Sequence, residues 1–380
     1  MTIMGTMIFL LMSSGIAYGA GWITKRLTYT SGASYHPAIV VNGLNIYIVW
    51  QDHTPGVSQI YFIRSADGGK HWKSVKKLTT KASIACTDPV IAVNGSSLYV
   101  TWTAEDILYE QWWLGFMKSA DGGATWSAAK NPSDIWGSSW SPQIAVNGSN
   151  IYIVWDEGNA NDIYFVKSAN GGATWQPAKR LSFSDEDDHV SRSHSPAIAV
   201  NGSNIYVVGS NNKPGNDEIY FMKSANGGAT WQAVKRLTNN AGWSKNPTIA
   251  VNASNIYVFW DDNTPGNNEI YFRKSADGGN RWKAAKRLTN DAGMSENPRI
   301  AVNASNIYIS WKDYSDKKTY ATYFMESADG GATWQPAESL LHYSDYYTSP
   351  EIAVNSSKIY VVYVDKSPGN SEIYLKYKTE

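Results

Sequence analysis

The sequence has little cysteine, little charge and no long apolar segment. Its single cysteine, Cys86, cannot form a disulfide within the chain, so stability has to come from packing and ring closure. Charged residues make up 17% of the 380 residues, with 33 basic and 33 acidic side chains. A chain without net charge lacks the field that attracts a polyanion, so nucleic acid is not an expected partner. The sequence also lacks a metal-ligand cluster, a nucleophile elbow and a phosphate-binding loop, and we predict no metal and no cofactor.

What the sequence has in plenty is aromatic residues and glycine. Aromatic residues make up 13% of the chain, including 17 Trp and 24 Tyr, and there are 31 Gly. Aromatic side chains favour strands, and glycine favours the tight turns between them. The composition therefore predicts many short strands and is unlike that of a disordered chain or a coiled coil.

The N-terminal segment is typical of an export signal. Residues 7–12 are a short apolar run, and residues 13–19 are a small-residue tail in which Ala17-x-Gly19 fits the small-x-small cleavage rule. The run is too short to span a bilayer comfortably. We predict a signal peptide at 1–19, an extracellular or cell-surface location and no transmembrane span in the mature chain. The alternative is a segment that is retained as a membrane anchor.

The remaining residues, 20–380, form one domain built from a repeat of about fifty residues. Each copy begins with Pro-x-Ile-Ala/Val-Val-Asn and continues with an alternating apolar strand such as residues 255–260, then with a third and a fourth strand. Four short strands separated by turns are the sequence mark of a propeller blade. The prolines are 51 to 54 residues apart, at Pro37, Pro89, Pro142, Pro196, Pro247, Pro298 and Pro350.

The two ends of the chain are out of phase with the repeat. Residues 22–28 read as a fourth strand, and residues 372–377 read as a third strand. The N-terminal strand can therefore complete the last blade, which closes the ring and removes two exposed sheet edges. We predict an all-β fold, a seven-bladed β-propeller with four antiparallel strands per blade, closed by the N-terminal strand.

Six joints between third and fourth strands share a motif, as in residues 119–126, Ser-Ala-Asp-Gly-Gly-Ala-Thr-Trp. The Asp or Asn accepts hydrogen bonds within its own turn, the paired glycines take positive φ, and the Trp covers the hairpin. Because Asn replaces Asp in two copies, we interpret the motif as structural. Its Asp and Asn residues are Asp67, Asp121, Asn170, Asn226, Asp277 and Asp329.

This motif resembles the Asp-box, or BNR, repeat of propellers in the sialidase-like superfamily, and the similarity covers nearly all of the mature chain. The resemblance implies a propeller whose Asp-boxes lie on the rim away from the ligand. It implies no single activity, because sialidases, xyloglucan-degrading enzymes, sorting receptors, photosystem assembly factors and lectins share these repeats.

The resemblance also implies what a sialidase of this superfamily would need. It would need three arginines that grip the substrate carboxylate, a Tyr–Glu nucleophile pair and an Asp acid/base. The Arg-Ile-Pro signature of the family is missing, and residues 36–39 read His-Pro-Ala-Ile at the matching place. Only Arg192 and Arg299 are placed to reach the channel mouth, so the chain is identified as a non-sialidase member.

In a propeller, the first-to-second and third-to-fourth turns share one face, called the bottom here. The other loops surround the channel mouth on the opposite face, the top. The Asp-boxes therefore fall on the bottom, and any ligand site is expected on the top. Six Asn-x-Ser sequons also fall at a bottom turn, where Asn suits the backbone geometry. They are Asn94, Asn147, Asn201, Asn252, Asn303 and Asn355.

Three groups of top-face residues are candidates for ligand binding. The first group is the acids that end the second strand of five blades. They are predicted either to bind a cation or sugar hydroxyls, or to cap their own loops. The second group is four tryptophans in two atypical loops. They are predicted either to stack on sugar rings or to pack the loops onto the blades. His194 and Arg299 flank first-strand prolines; the alternative for Arg299 is an ion pair with Glu351. The candidates are Asp52, Glu157, Asp262, Asp313, Asp365, Trp112, Trp113, Trp136, Trp140, His194 and Arg299.

We therefore predict a secreted or cell-surface propeller that acts as a non-catalytic binding module for glycans or cell-surface proteins. The alternative is a glycoside hydrolase, sialidase-like or other, that uses two carboxylates such as Glu105 or Glu110 with Glu157. The acidic stretch 185–189 in a further top loop is either a calcium site or a solvated loop.

Overall fold

A computed structural model describes residues 21–158, 162–181, 192–314, 319–344 and 348–379. These ranges contain 27 β-strands, numbered β1–β27 along the chain, and no helix. The strands form seven blades of antiparallel strands. The innermost strands of successive blades contact one another, and the innermost strand of blade 7 contacts that of blade 1. The predicted seven-bladed ring is therefore confirmed.

Each blade runs in sequence order from the channel to the outer edge. The first strands are β2 (Ser34–Asn42), β6 (Ile84–Asn94), β9 (Ser139–Asn147), β13 (Ser193–Asn201), β17 (Ser244–Asn252), β21 (Ser295–Asn303) and β25 (Glu351–Val354). The second strands are β3 (Asn45–Asp52), β7 (Ser97–Asp106), β10 (Asn150–Glu157), β14 (Asn204–Asn211), β18 (Asn255–Asp262), β22 (Asn306–Asp313) and β26 (Lys358–Asp365).

The outer half of each blade consists of a long third strand and a short fourth strand. The third strands are β4 (Gln59–Ser65), β8 (Gln111–Ser119), β11 (Asp162–Ser168), β15 (Glu218–Ser224), β19 (Glu269–Ser275), β23 (Tyr320–Ser327) and β27 (Glu372–Thr379). The fourth strands are β5 (Lys76–Lys77), β12 (Lys179–Leu181), β16 (Lys235–Arg236), β20 (Lys286–Arg287), β24 (Glu338–Ser344) and, in blade 7, β1 (Ile23–Arg26). In blade 2 the fourth strand is a single bridge between Lys130 and Phe116.

The second strand of each blade is apolar throughout because the blades stack face to face. In β3, Ile46, Ile48 and Trp50 pack against blade 7, whereas Tyr47 and Val49 pack against blade 2. Successive side chains of a strand point to opposite faces, so one strand contributes to two neighbouring layers of the core. The core is thus a ring of inter-blade layers.

The Asp-box turns form the hydrogen bonds that the sequence predicts. In blade 1, Ser65 Oγ donates to Asp67 Oδ1 at 2.8 Å, and Asp67 Oδ1 accepts from the backbone N–H of His71 at 2.9 Å. Asn170 of blade 3 accepts from the backbone N–H of Thr174 at 2.9 Å. A neutral side chain therefore holds the same turn, as the structural interpretation requires.

The tryptophan of the Asp-box does more than cover its own turn. Trp126 lies edge-on to Phe62 of the preceding blade, with 5.2 Å between ring centroids. Blade 7 has no Asp-box, and there Trp22 takes the equivalent place against Phe324 of blade 6, also at 5.2 Å. Each such tryptophan therefore joins two blades.

The N-terminal strand closes the ring as predicted. β1 pairs with β27, with Ile23 opposite Tyr377. Arg26 Nη2 lies 2.9 Å from the buried Glu372 carboxylate, and Thr28 Oγ1 accepts from the backbone N–H of Ile373 at 2.8 Å. These contacts give blade 7 its fourth strand and tie the two ends of the described chain together.

The bottom face carries a closed ring of asparagine side chains, called the asparagine ring. At the end of each first strand, an asparagine Nδ2 donates to a backbone oxygen in the first-to-second turn of the next blade. The pairs are Asn42 to Gly95, Asn94 to Gly148, Asn147 to Gly202, Asn201 to Ala253, Asn252 to Ala304, Asn303 to Asn355 and Asn355 to Gly43. All six sequon asparagines belong to this ring, so a bond to the next blade adds to the backbone preference that the sequence suggests.

Candidate ligand site at the channel mouth

The upper end of the central channel holds a cavity of about 410 Å³. Pockets that bind small molecules measure roughly 300–1,000 Å³, so the cavity has a suitable size. The residue just before the proline of each repeat faces this cavity and is polar in all seven blades. These residues, called the pre-proline ring, are His36, Asp88, Ser141, Ser195, Asn246, Asn297 and Ser349.

A backbone bulge turns the pre-proline ring toward the channel. In blade 1, Tyr35 is opposite Gln51 and Ala38 is opposite Val49, so two residues of β2 stand against one residue of β3. Six of the seven pre-proline residues have positive φ, between 47° and 54°. That conformation is uncommon outside glycine and clusters at functional sites. The bulge therefore presents polar side chains to the cavity, and we take the channel mouth as the candidate site.

Side chains behind the cavity wall tie three of these bulges to the preceding blade. Each is the next-to-last residue of β3, β10 or β18 and accepts the backbone N–H of the pre-proline residue in the next blade. The bonds run from Asp88 to Gln51 Oε1 (3.0 Å), from Ser195 to Asp156 Oδ2 (3.3 Å) and from Asn297 to Asp261 Oδ1 (3.0 Å).

The two aspartates among these acceptors are buried. Burial raises the pKa of Asp156 to about 6, although the charge of nearby His194 opposes the shift. Burial also raises the pKa of Asp261 to about 7, against hydrogen bonds from the backbone of Asn297 and the amide of Asn246. Both carboxyls therefore change charge near neutral pH.

The basic side chains in the cavity wall each lie beside a carboxylate. Arg299 Nε is 2.5 Å from Glu351 Oε1 of the next blade, which confirms the ion pair considered from the sequence. His36 Nδ1 is 3.1 Å from Asp88 Oδ1. A third basic residue of the wall, Lys312, has its Nζ 3.9 Å from the carboxylate of Glu296.

The five acids predicted at the ends of second strands lie behind the cavity wall and are 1–6% exposed. Four of them accept a hydrogen bond from the serine at the start of their own first strand. The pairs are Ser34 with Asp52, Ser139 with Glu157, Ser244 with Asp262 and Ser295 with Asp313, at 2.7–2.9 Å. The fifth, Asp365, accepts from the backbone N–H of Ser367 at 2.7 Å. These contacts match the loop-capping interpretation, and the assignment of the acids to ligand binding stays a prediction.

The four tryptophans predicted near the ligand form two pairs. Trp112 lies edge-on to Trp140 with 6.3 Å between centroids, and Trp113 lies 4.9 Å from Trp136. Because residues 112 and 113 are adjacent in β8, the pairs lie on opposite faces of the β7–β8 hairpin. Trp136 is 60% exposed and the other three are partly buried, so Trp136 has the most open indole of the four.

His194, whose Nδ1 lies 3.1 Å from Ser195 Oγ, belongs to a network with an acidic and a basic side chain. Its Nε2 lies 3.0 Å from Asp217 Oδ1, and Lys245 Nζ lies 3.4 Å from Asp217 Oδ2. Burial would raise the pKa of Asp217, but the bonds and charges of His194 and Lys245 lower it. Lys245 Nζ also lies 3.9 Å from the centroid of the exposed Trp243 ring. The structure thus places Arg299 in the cavity wall and His194 beside Ser195 of that wall, whereas the four tryptophans lie around the blade 2 hairpin.

The arginines do not form the three-armed grip that a sialidase needs. Arg299 is the single arginine that lines the cavity within the described part of the chain. Arg192 is exposed, and its backbone N–H bonds to Asn212 Oδ1 at 2.8 Å. Four others pair with buried acids at the outer strands: Arg26 with Glu372, Arg180 with Asp162, Arg236 with Glu218 and Arg287 with Glu269.

Reasoning from the sequence missed the pre-proline ring and the acceptors behind it. The candidates taken from the sequence, His194 and Arg299, lie two residues before and one residue after a first-strand proline, and the residue directly before each proline was not among them. A signal was present, because Asn, Asp and His tolerate positive φ and precede proline in four repeats.

Two predicted segments, residues 1–19 and the acidic stretch 185–189, lie outside the described residues. In the ranges given above, no group of three or more His, Cys, Asp or Glu is arranged to hold a metal ion. The same ranges contain no helix with the length and apolar character needed to cross a membrane.

Several solved structures share the fold at low sequence identity. The polysaccharide lyase Uly1 has a TM-score of 0.59 and 11% identity, over 90% of this chain and 89% of that chain. A protein of unknown function from Dyadobacter fermentans has a TM-score of 0.58 and 13% identity, over 95% of this chain and 100% of that chain. The endosialidase of phage phi92 has a TM-score of 0.55 and 12% identity, over 94% of this chain and 69% of that chain. At such identities the likeness shows the fold alone.

The sequence itself gives a family assignment. A search of curated protein sequences finds no match to this chain. Residues 44–244, more than half of the chain, match the BNR repeat-like domain. They run from the end of the first turn of blade 1 to the first strand of blade 5. The chain therefore belongs to the BNR repeat-like domain family.

Proposed function

We propose that this chain is an extracellular, non-catalytic carbohydrate-binding propeller that takes part of a glycan into the cavity at the channel mouth. The observation that carries the proposal is the pre-proline ring, a set of seven polar residues that face one cavity from seven blades. The fold relatives named as a polysaccharide lyase and an endosialidase make a carbohydrate ligand a reasonable first choice.

The chemistry of the cavity wall suits sugar hydroxyls. Along blades 3 to 5 the wall presents the hydroxyls of Ser141, Ser195 and Thr248 and the amides of Gln143 and Asn246. Hydroxyls and amides both donate and accept hydrogen bonds, as sugar hydroxyls require. The prolines and isoleucines between them supply apolar surface for the C–H faces of a sugar ring.

The carboxylates of the cavity favour binding over hydrolysis. Glycoside hydrolysis needs two carboxyl groups that act on one bond, roughly 5–5.5 Å or 6.5–9.5 Å apart. Within the described lining, Asp88 and Glu351 are the carboxylates; Glu351 forms an ion pair with Arg299, and Asp88 Oδ1 lies 3.1 Å from His36 Nδ1. A carboxylate that contacts a basic side chain of the protein is not free to act on a bond of the sugar.

A glycan array with the secreted protein tests the proposal. We expect binding to a restricted set of glycans, and a loss of about tenfold or more in affinity for Gln143→Ala and Thr248→Ala, because each removes a polar partner of the sugar. Asn201→Ala on the bottom face is the matched control and should bind like the wild type. Absence of binding to any glycan would contradict the proposal, as would equal losses in all three variants.

One observation favours a second candidate, a glycoside hydrolase. Asp156 and Asp261 each bond to the backbone of a pre-proline residue that lines the cavity, and their raised pKa values near 6 and 7 suit a general acid at neutral pH. Release of reducing sugar from the glycans bound on the array, abolished by Asp156→Asn or Asp261→Asn, would establish hydrolysis and replace the binding proposal. Unchanged glycans after prolonged incubation would exclude it.

A further inference from the structure

The cavity at the channel mouth has charges of both signs but, within its described lining, offers no cation without a carboxylate beside it. The basic side chains of that lining are His36, Arg299 and Lys312, and their neighbours are Asp88, Glu351 and Glu296. We propose that the cavity selects uncharged glycans over acidic ones, and that the ion pair between Arg299 and Glu351 is the specificity determinant. This inference rests on the proposed function.

Arg299 is the residue in the wall best suited to hold a carboxylate, because a guanidinium presents parallel donors that match one. Two of its three nitrogen atoms are already engaged. Nε lies 2.5 Å from Glu351 Oε1, and Nη1 donates to the backbone oxygen of Pro298 at 3.1 Å. An acidic sugar would therefore have to displace Glu351 or bind beside it.

Displacement and co-binding are both unfavourable. The side chains of Arg299 and Glu351 are 30% and 31% exposed, so the pair is partly screened from water and repulsion between two carboxylates there is stronger than at an open surface. Glu351 is part of the same chain as Arg299, so its effective concentration beside the guanidinium is high. The carboxylate of a ligand must compete with it for Arg299. A built-in like charge is a common way to reject a wrong ligand.

The other two basic side chains do not provide an alternative anion site. Lys312 Nζ is 3.9 Å from Glu296 and lies 4.6 Å from the centroid of the Tyr320 ring, and its side chain is 8% exposed. His36 lies within hydrogen-bonding distance of Asp88. The wall opposite these pairs, along blades 3 to 5, carries hydroxyls and amides, which bind a neutral sugar without a charge penalty.

The test uses matched pairs of glycans that differ by one acidic group. The probes are lactose with sialyllactose, and neutral oligosaccharides from the array with their uronic acid counterparts, titrated by calorimetry. For a neutral glycan that binds, we expect its acidic counterpart to bind about tenfold more weakly or worse. In Glu351→Gln, which keeps the shape but removes the charge, affinity for the acidic member should rise about tenfold, while the neutral member changes less than about twofold.

Two further variants separate specificity from folding. Glu269→Gln removes a charge from the equivalent kind of pair, with Arg287, far from the cavity, and should leave glycan preference unchanged. The double variant Arg299→Gln/Glu351→Gln should bind neutral glycans and gain no acidic ones. Thermal melting of each variant shows whether it is folded.

The outcomes distinguish this inference from the proposed function. Wild-type protein that binds the acidic members as tightly as the neutral ones overturns the specificity inference and leaves carbohydrate binding in place. A folded Glu351→Gln variant without any gain for acidic probes removes the ion pair as the determinant. Wild-type protein that binds no glycan at all removes the proposed function, and the inference with it.

Discussion

The two faces of this propeller solve the same problem, the joining of neighbouring blades, in opposite ways. On the bottom, the asparagine ring repeats one bond between side chain and backbone at all seven junctions. On the top, the acceptor behind the pre-proline ring is Gln51 in blade 1, Asp156 in blade 3 and Asp261 in blade 5. Where blade packing alone sets the chemistry, the copies agree. Where they differ, packing alone does not fix the residues, and the channel mouth is that place.

The comparison yields a general way to read a repeat protein. Seven near-copies of a blade share one scaffold, so features common to all are explained by what each blade needs from its neighbours. Subtraction of those features leaves the side chains of the pre-proline ring, which differ from blade to blade, the ion pairs of the cavity and the hairpin of blade 2. The first two meet in one cavity, which is why the proposed function is placed there.

The largest expected effect tests whether contact between blades is what requires glycine in the turns of the bottom face. Gly123 has a φ of 85°, and a Cβ there would lie 2.4 Å from Phe62 of the preceding blade, which is 1% exposed. Gly123→Ala should therefore cost about 3 kcal/mol or more, from a left-handed backbone together with overpacking. Denaturant unfolding measures this.

Gly148→Ala is the matched control, because Gly148 has a φ of 58° and a Cβ added there would meet nothing within 4 Å. It should lose only about 1 kcal/mol, the conformational part of the cost. Equal losses in the two variants would show that backbone conformation, and not contact between blades, makes the bottom glycines necessary.

The second effect is a difference between the two faces in how stability depends on pH. Burial holds the folded pKa of Asp261 near 7, above its unfolded value, so the folded state binds more protons between about pH 4 and 7. Stability should fall as pH rises through that window. Asp261→Asn removes the Asp261 part of this slope and should be more stable than the wild type at pH 8, by roughly 2–4 kcal/mol. Melting temperatures at pH 5 and pH 8 measure the difference.

An Asp-box on the bottom face should respond in the opposite direction. Hydrogen bonds from Thr125 and Ser119 lower the pKa of Asp121, so its contribution to stability is present above the unfolded pKa and is lost as pH falls. Asp121→Asn should therefore leave the profile between pH 5 and pH 8 unchanged. Asp156, whose pKa is raised to about 6, keeps a weaker slope of the same sign in Asp261→Asn. A slope as steep as that of the wild type would mean that Asp261 does not cause it.

The third effect concerns a single bond of the asparagine ring. Asn201 Nδ2 donates to the backbone oxygen of Ala253 at 2.8 Å. Asn201→Ala should lower the free energy of unfolding by about 1 kcal/mol, the usual net value of one hydrogen bond, because an exposed site lets water replace the donor. Calorimetry gives the value. No change would show that the ring is a by-product of blade packing.

The fold could be predicted from the sequence because its determinants are local and repeated. The period of the prolines, the strand alternation and the phase of the two ends fix the number of blades and the closure by residues 22–28. The pairing of Arg299 with Glu351 was also within reach, since both follow first-strand prolines of neighbouring blades. The reason is that the repeat converts sequence position into spatial position.

The details of the site were not predictable in the same way. The sequence shows an acid at Asp262. It does not show that both carboxylate oxygens accept hydrogen bonds from Ser244 and from the backbone of the loop, because this depends on the depth of burial at the strand end. It shows four tryptophans near one another but not that Trp112 and Trp113 face opposite sides of a hairpin, which depends on where β8 begins. Side-chain direction follows from register, and register is set by the bulges that only the structure shows.

The smallest expected effect on stability separates the two interpretations of the tryptophans. Trp136 is 60% exposed and belongs to a loop that internal hydrogen bonds hold in shape, from Asn131 Nδ2 to the backbone oxygen of Ile135 at 3.0 Å. Trp136→Ala should therefore cost less than about 1 kcal/mol, whereas Trp112→Ala, which removes a partly buried ring packed on Trp140, should cost about 2–3 kcal/mol. The informative measurement is the glycan array with both variants. Retained binding in Trp136→Ala would confine the ligand to the channel mouth, and a loss of binding without a loss of stability would extend the site to the blade 2 hairpin.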